Sequence, residues 1–328
     1  MPVRIGQIGV GHVHAPGKTK VIHSTPGLEL VGIFEPDPVL RATRANTDVY
    51  RDSNWLASAD QLLDDPTVLG VVIEMTPFDG LAWAYRALEA GKHVHLDKAP
   101  GLDFAKFREA SDLARNKCLL FQQGYQLRYN TGVEFLFGAL RSGMLGEIQS
   151  VRGRKSSPRL IYDSLRVEVG QSPGGMMYYI GCHLLDLVIG LLGRPTEVHS
   201  ILRRDAPVES PIIDSTVVVL EFPSAIATIE TTALEVFPVE KRRLEVYGSE
   251  GSVILDPMEP PTVFLGLNRA QGNFKAGWQM VDVGDRPRYV ADMAEFAHCI
   301  ATGEAPRIGY GHDLLTHEIL LRSCGVAI

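Results

Sequence analysis

The run Gly91-Lys92-His93-Val94-His95-Leu96-Asp97-Lys98-Ala99-Pro100 ends on an amine that could hold an oxygen atom during a reaction. Val94 and Leu96 alternate with His93, His95 and Asp97, the two-residue period of a strand. Pro100 stops a regular ladder, so Lys98 is expected at the strand's carboxyl end, where open α/β sheets bind their ligands. A lysine placed there can stabilise the charge of a developing alkoxide. A second chemical signal lies near the start of the chain. Ile5 to His14 reads as an apolar strand entering a glycine turn, with Gly9 and Gly11 at the first two positions of GxGxxG and His14 at the third. Gly9, Val10, Gly11, His12 and Val13 are therefore candidates for holding a pyrophosphate at a helix amino end. Glu35 lies about 20 residues beyond the second glycine, at the end of a second strand, where a carboxylate accepts hydrogen bonds from ribose hydroxyls. No Arg or Lys adjoins Glu35, and Arg41 and Arg44 are the nearest basic residues after it. That favours NAD as cofactor, with NADP second.

These groups need a scaffold to position them. Apolar runs at 28–34, 68–75, 93–97 and 119–122 alternate with helical patterns, one from Pro16 to before Pro26-Gly27, one at 80–90 and one from Asp103. Such alternation predicts a doubly wound, mostly parallel sheet of the Rossmann type. After Gly124 the pattern changes. Helices are expected at 131–142 and 182–192, followed by strands at 215–222, 225–234, 243–247 and 252–255. Phe222-Pro223-Ser224 and Gly248-Ser249-Glu250-Gly251 are turns too short for parallel crossovers. The expectation is an α/β protein, with a dinucleotide-binding domain at 1–123 and an α+β domain at 124–328 built on a mostly antiparallel open sheet. Two terminal helices, with Val290, Met293, Ala297 and Ile300 on one and Leu314, Leu315, Ile319 and Leu321 on the other, are expected to pack back toward the first domain.

A chain of 328 residues with a net charge of -7 and no block of like charge argues against a nucleic-acid partner. No apolar run approaches the roughly 20 residues of a membrane helix, and the opening residues lead straight into a strand, so a cytoplasmic protein without a membrane partner is expected. Cys118, Cys182, Cys299 and Cys324 lack paired spacing, which points to reduced thiols. His93 with His95 and His12 with His14 each suggest metal ligands. Spacing shows no third ligand for either pair, so no metal is expected and packing or hydrogen bonding is preferred.

Taken in order, these motifs resemble the glucose-fructose oxidoreductase / inositol dehydrogenase (Gfo/Idh/MocA) family. The carriers are the Gly9-x-Gly11 turn, Glu35-Pro-Asp-Pro, Thr76-Pro77, Asp97-Lys98-Ala99-Pro100, Gly124-Tyr-Gln-Leu-Arg128-Tyr129, Gly143-Met-Leu-Gly146-Glu147-Ile148, Gly174-Gly175, Gly181-Cys-His183-Leu-Leu-Asp186 and Gly193-Arg-Pro195. The resemblance implies an NAD-dependent oxidoreductase acting on a hydroxyl or carbonyl of a sugar, sugar acid or polyol, with Thr76, Pro77, Asp97 and Lys98 also at the cofactor. It implies a homo-dimer or homo-tetramer formed through the second domain's sheet. The run from Asp97 looks like a variant of the family's Glu-Lys-Pro motif with an alanine inserted. The family's Asp, four residues before a His, matches Tyr179 before His183. His183 would then be the general base and Tyr179 a neutral donor, or an acid/base partner of Lys98. Gln126 and Arg128 fall where family members approach cofactor and substrate. Tyr162 and Arg166 are further substrate candidates, and Asp186 is expected to be structural. Two alternatives stay open: an isomerase or lyase in which the hydride returns to the product, and a non-catalytic dinucleotide sensor, because the family's Asp is replaced by Tyr179.

Overall fold

Five short strands, β1 (Val3–Ile8), β2 (Leu28–Phe34), β3 (Gly70–Ile73), β4 (His93–Leu96) and β5 (Phe121–Gln123), form a parallel sheet in the order β2-β1-β3-β4-β5. The computed structural model describes residues 2–158, 166–206, 211–237 and 239–328. It divides the chain into a first unit, Met1–Gln126 with Pro287–Leu314, and a second, Leu127–Arg286 with Leu315–Ile328. The alternating faces of the strands explain why both sides of the first sheet are covered. Val71, Ile73, Val94, Leu96 and Phe121 pack on Leu81, Ala84 and Leu88 of the helix Gly80–Glu89 and on Phe107 and Ala110 of the helix Phe104–Asn116. Val3, Ile5 and Val72 face the other way, onto Ile22 of the helix Ala15–Ser24 and Met293 and Phe296 of the helix Val290–Thr302. Because β2 lies on one side of β1 and β3 to β5 on the other, the carboxyl ends of β1 and β3 form the topological switch point, where such sheets bind ligands.

The second unit holds β6 (Ile148–Arg154), β7 (Glu197–Arg203), β8 (Ser215–Glu221), β9 (Ile226–Thr232), β10 (Arg243–Gly248), β11 (Gly251–Met258), β12 (Pro261–Leu267) and β13 (Gly277–Val281). They form one sheet in the order β13-β12-β11-β10-β6-β9-β8-β7, antiparallel among the described residues apart from β6 with β9. The strand pattern read from the sequence finds β8 to β11 and passes over four others. β6 alternates its apolar residues with Arg152 and Arg154, β7 is mostly exposed, β12 opens on Pro261, and β13 is a short edge strand. β7 and β13 are the edge strands, which bury too little apolar surface to announce themselves by pattern. One sheet face buries Val218, Leu220, Ala227, Ile229, Leu244, Val246, Val253 and Leu255, while Ile201, Ile226, Trp278 and Met280 are exposed. All four cysteines are free thiols. Among the described residues no helix is long and apolar enough to cross a membrane.

Candidate active site

β1 ends at Ile8, and the chain turns at once. Gly9 has φ +89, and a Cβ there would lie 2.4 Å from Met75 Sδ and 2.8 Å from the Met75 backbone nitrogen. Only glycine fits. At Gly11 a Cβ would meet nothing nearer than Leu40 at 3.5 Å, an ordinary contact. The fold does not itself demand glycine there, and its absence of a side chain leaves room for a group brought against the backbone. Glu35, just past β2, reaches the same turn: Oε2 accepts the Val10 N–H at 2.7 Å and Oε1 accepts the Asp37 N–H at 3.0 Å. Each oxygen keeps a lone pair for a hydroxyl donor. Burial raises the Glu35 pKa. The Arg41 guanidinium donates to the carbonyls of Leu56 and Trp55 at 3.0 and 3.3 Å. Thr76 and Pro77 follow β3, where the Thr76 hydroxyl donates to Asp79 at 2.6 Å beside the start of the helix Gly80–Glu89. The switch point thus presents a glycine turn, a helix amino end and a ribose-type carboxylate together, which fits a dinucleotide.

Behind the turn lies a buried polar network centred on Asp97. Its Oδ1 accepts the Lys98 backbone N–H at 2.7 Å, and its Oδ2 accepts from Lys18 Nζ at 2.5 Å. His14 Nδ1 stands 3.1 Å from both oxygens and His12 Nδ1 3.3 Å from Oδ2. Lys18 also lies 2.8 Å from Glu74 Oε1 and 2.9 Å from His95 Nε2, and His95 Nδ1 meets Gln122 Oε1 at 2.8 Å. Asp97 is the third group near His12 and His14 that spacing does not reveal. The cation it holds is the Lys18 ammonium. Lys98 itself is buried, beginning one residue after Asp97 the loop that leaves β4.

Burial of so many ionisable groups decides their charges. It pulls against the Lys18 ammonium, yet Asp97 and then Glu74 outweigh it and hold the Lys18 pKa above its ordinary value. Burial likewise opposes the Asp97 carboxylate, but the His12, His14 and Lys18 N–H groups that face it hold its pKa well below the usual range. Glu74 goes the other way, pushed well above it by burial despite Lys18. Asp292, on the helix Val290–Thr302, is pushed up to about 6, again by burial. Burial lowers His12 and takes His14 down to about 3. The charged pair at neutral pH is Lys18 with Asp97, flanked by neutral imidazoles.

The second unit carries the remaining candidates. A π-helical turn, Met177–Gly181, runs directly into the helix Cys182–Leu192. Such wide turns concentrate at functional sites. A Cβ at Gly181 would lie 2.4 Å from Met177 Sδ, so a larger residue there would have to displace the Met177 side chain. Tyr179 is buried in a cluster with Val169, Met176, Ile180, Ile212 and Ala233. His183 and Asp186 are buried on the following helix. Asp186 receives a bidentate pair from Arg128, at 2.9 Å from Nε and 2.6 Å from Nη2. That geometry joins the short 3₁₀ segment Gln126–Tyr129 to the helix carrying His183. Gln126, counted with the first unit, is buried and its Oε1 has no hydrogen-bond partner among the described residues. Arg166 begins a short helix, Arg166–Gln171, and Tyr162 lies outside the described residues.

Sequence reasoning passes over Lys18, Glu74, Tyr289 and Asp292. Two signals were there. Lys18 shares the inward spacing of Ala15, Thr19 and Ile22, and Glu74 interrupts an otherwise apolar run. Tyr289, whose ring centroid is 5.3 Å from that of His14, and Asp292 arrive from almost two hundred residues beyond β4. Nothing local marks them.

Residues 3–125 match the sequence model of an oxidoreductase family described as an NAD-binding Rossmann fold, and residues 136–254 match the GFO/IDH/MocA C-terminal domain. The chain is 29% identical over 261 residues to the uncharacterized oxidoreductase YdgJ of Escherichia coli strain K12, covering 78% of this chain and 73% of that protein. It is 23% identical over 324 residues to the myo-inositol 2-dehydrogenase of Thermotoga maritima, covering 95% and 92%. Among solved structures, a levoglucosan dehydrogenase in complex with NADH and levoglucosan superposes with a TM-score of 0.82 at 16% identity, covering 99% of this chain and 98% of that one. At that identity the likeness speaks to the fold.

Proposed function

The chain belongs to the Gfo/Idh/MocA oxidoreductase family, and from that premise we propose that it is an NAD-dependent dehydrogenase acting on a secondary alcohol of a sugar, sugar acid or polyol, or on the corresponding ketone. The observation that carries the reading is the meeting of the Gly9 turn with Glu35 at the switch point of the sheet whose strand β4 leads into the Lys98 loop. Gly9 to Val13, Glu35, Thr76, Pro77, Asp97 and Lys98 would hold the dinucleotide. Both Glu35 oxygens favour ribose hydroxyl donors, and Arg41 is engaged with backbone carbonyls, which supports NAD over NADP.

A bound nicotinamide would supply the acceptor for the hydride of the alcohol carbon. Lys98 holds the substrate oxygen and stabilises its negative charge as the carbonyl forms. His183 takes the hydroxyl proton, a task suited to an imidazole near neutral pH. Tyr179 contributes a neutral donor where the family has an aspartate. We also place the subunit contact of a homo-oligomer on the sheet face bearing Ile201, Ile226, Trp278 and Met280, which light scattering of the purified protein tests.

Calorimetric titration with NAD and NADP, followed by NADH formation across a sugar and polyol panel, tests the proposal. Tighter binding of NAD and turnover that disappears in Lys98→Met are expected. Absence of binding by either dinucleotide would overturn the reading.

A further inference from the structure

The glycine turn asks an anionic ligand to bind beside buried acids. From Gly9 to Gly17 there is no Lys or Arg, and the next residue, Lys18, is already held by Asp97 and Glu74. A dinucleotide diphosphate brought to this helix amino end carries two negative charges, of which helix dipole and backbone N–H groups offset a part. Asp97 and Asp292 behind the turn add to the repulsion. The nearest groups able to gain positive charge are His12 and His14. His12 is fully buried, with its Nδ1 toward Asp97 and its Nε2 without a hydrogen-bond partner among the described residues. His14 occupies the third-glycine position immediately before the helix Ala15–Ser24, with its Nδ1 on Asp97. On the proposed cofactor reading, we propose that these two imidazoles bind the dinucleotide's diphosphate and take up a proton as they do so, supplying as imidazolium the cation that the turn's sequence lacks.

The surroundings set the sign. Asp97 favours imidazolium, while burial, Lys98, Lys18 and the neighbouring imidazole oppose it, so both rings are neutral in the free protein. Glu74 flanks His12 at 3.8 Å, and Tyr289 and Asp292 border the network from the helix Val290–Thr302 and the residue before it, with Arg288 next to Tyr289. An incoming diphosphate tips this balance toward protonation. Binding that takes up a proton weakens as pH rises, by about tenfold per pH unit where uptake is complete.

The test is calorimetry of NAD binding to the intact protein in two buffers of different ionisation enthalpy, between about pH 6 and about pH 8. Uptake of about one proton per NAD and weaker binding at higher pH are expected. His14→Asn keeps a donor for Asp97 but cannot titrate, and together with His12→Gln it should flatten the pH dependence. NAD binding without proton uptake would overturn the inference and leave the dehydrogenase reading standing. Full uptake retained in the folded double variant would also overturn it, by moving the proton to another group. No NAD binding at any pH would overturn both. Where the double variant fails to fold, absence of proton uptake by the wild type still overturns the inference, and a reduced uptake in His14→Asn alone supports it.

Discussion

The carboxyl edge of the parallel sheet and the helix bearing His183 solve one problem in opposite ways. At the sheet edge, a single lysine serves two carboxylates and an imidazole, all buried, in a network to which three strand ends and two helices contribute. In the second unit, a helix buried nearly all round holds its one carboxylate with one arginine in a bidentate pair. A shared cation makes every member depend on the others, whereas a bidentate pair is removed by changing its two residues.

Stability measurements can break that contrast. Lys18→Met should cost the most, on the order of 3–5 kcal/mol by denaturant unfolding, because it leaves the buried Asp97 carboxylate without its cation and Glu74 without its donor. Neutralising Asp97 in the same chain should restore only part of the loss. Arg128→Met should cost about 3 kcal/mol, and Arg128→Met with Asp186→Leu should recover most of it, because the pair is then replaced whole. If the two regions respond alike, the distinction between network and pair falls.

Asp292 sharpens the comparison through pH. Its folded-state pKa of about 6 lies above the unfolded value of about 3.9, so the native state binds the extra proton between them. Its contribution to stability therefore declines as pH rises from about 4 to about 6, and Asp292→Asn should remove that slope in thermal unfolding curves. Tyr179→Phe should have the smallest effect on folding, within about 1 kcal/mol, because its ring packs among apolar side chains. Its effect on turnover should be larger than on substrate affinity. Equal turnover in the variant would remove Tyr179 from the chemistry.

The linear sequence carried much of the first unit. Short apolar strands, Gly9 at a turn only glycine can make, and Glu35 at a fixed distance all act locally, so spacing alone brings them to one edge. In the second unit the sequence showed the His183 helix and β8 to β11, but not the inner strands β6 and β12, whose apolar period is broken by Arg152, Arg154 and Pro261, nor the edge strands β7 and β13, whose exposed faces carry little apolar period. It also could not show what Asp97 does. His12, His14, Lys18, Glu74 and His95 meet it only because the sheet order sets β3 and β4 beside β1, and because residues 287–314 return to the first unit. The sequence by itself determined the two sheets, the glycine turn and the identity of the candidate groups, through local sterics and hydrophobic period. Tertiary structure alone decided which of those groups are charged, because charge depends on burial and on neighbours that lie far apart along the chain.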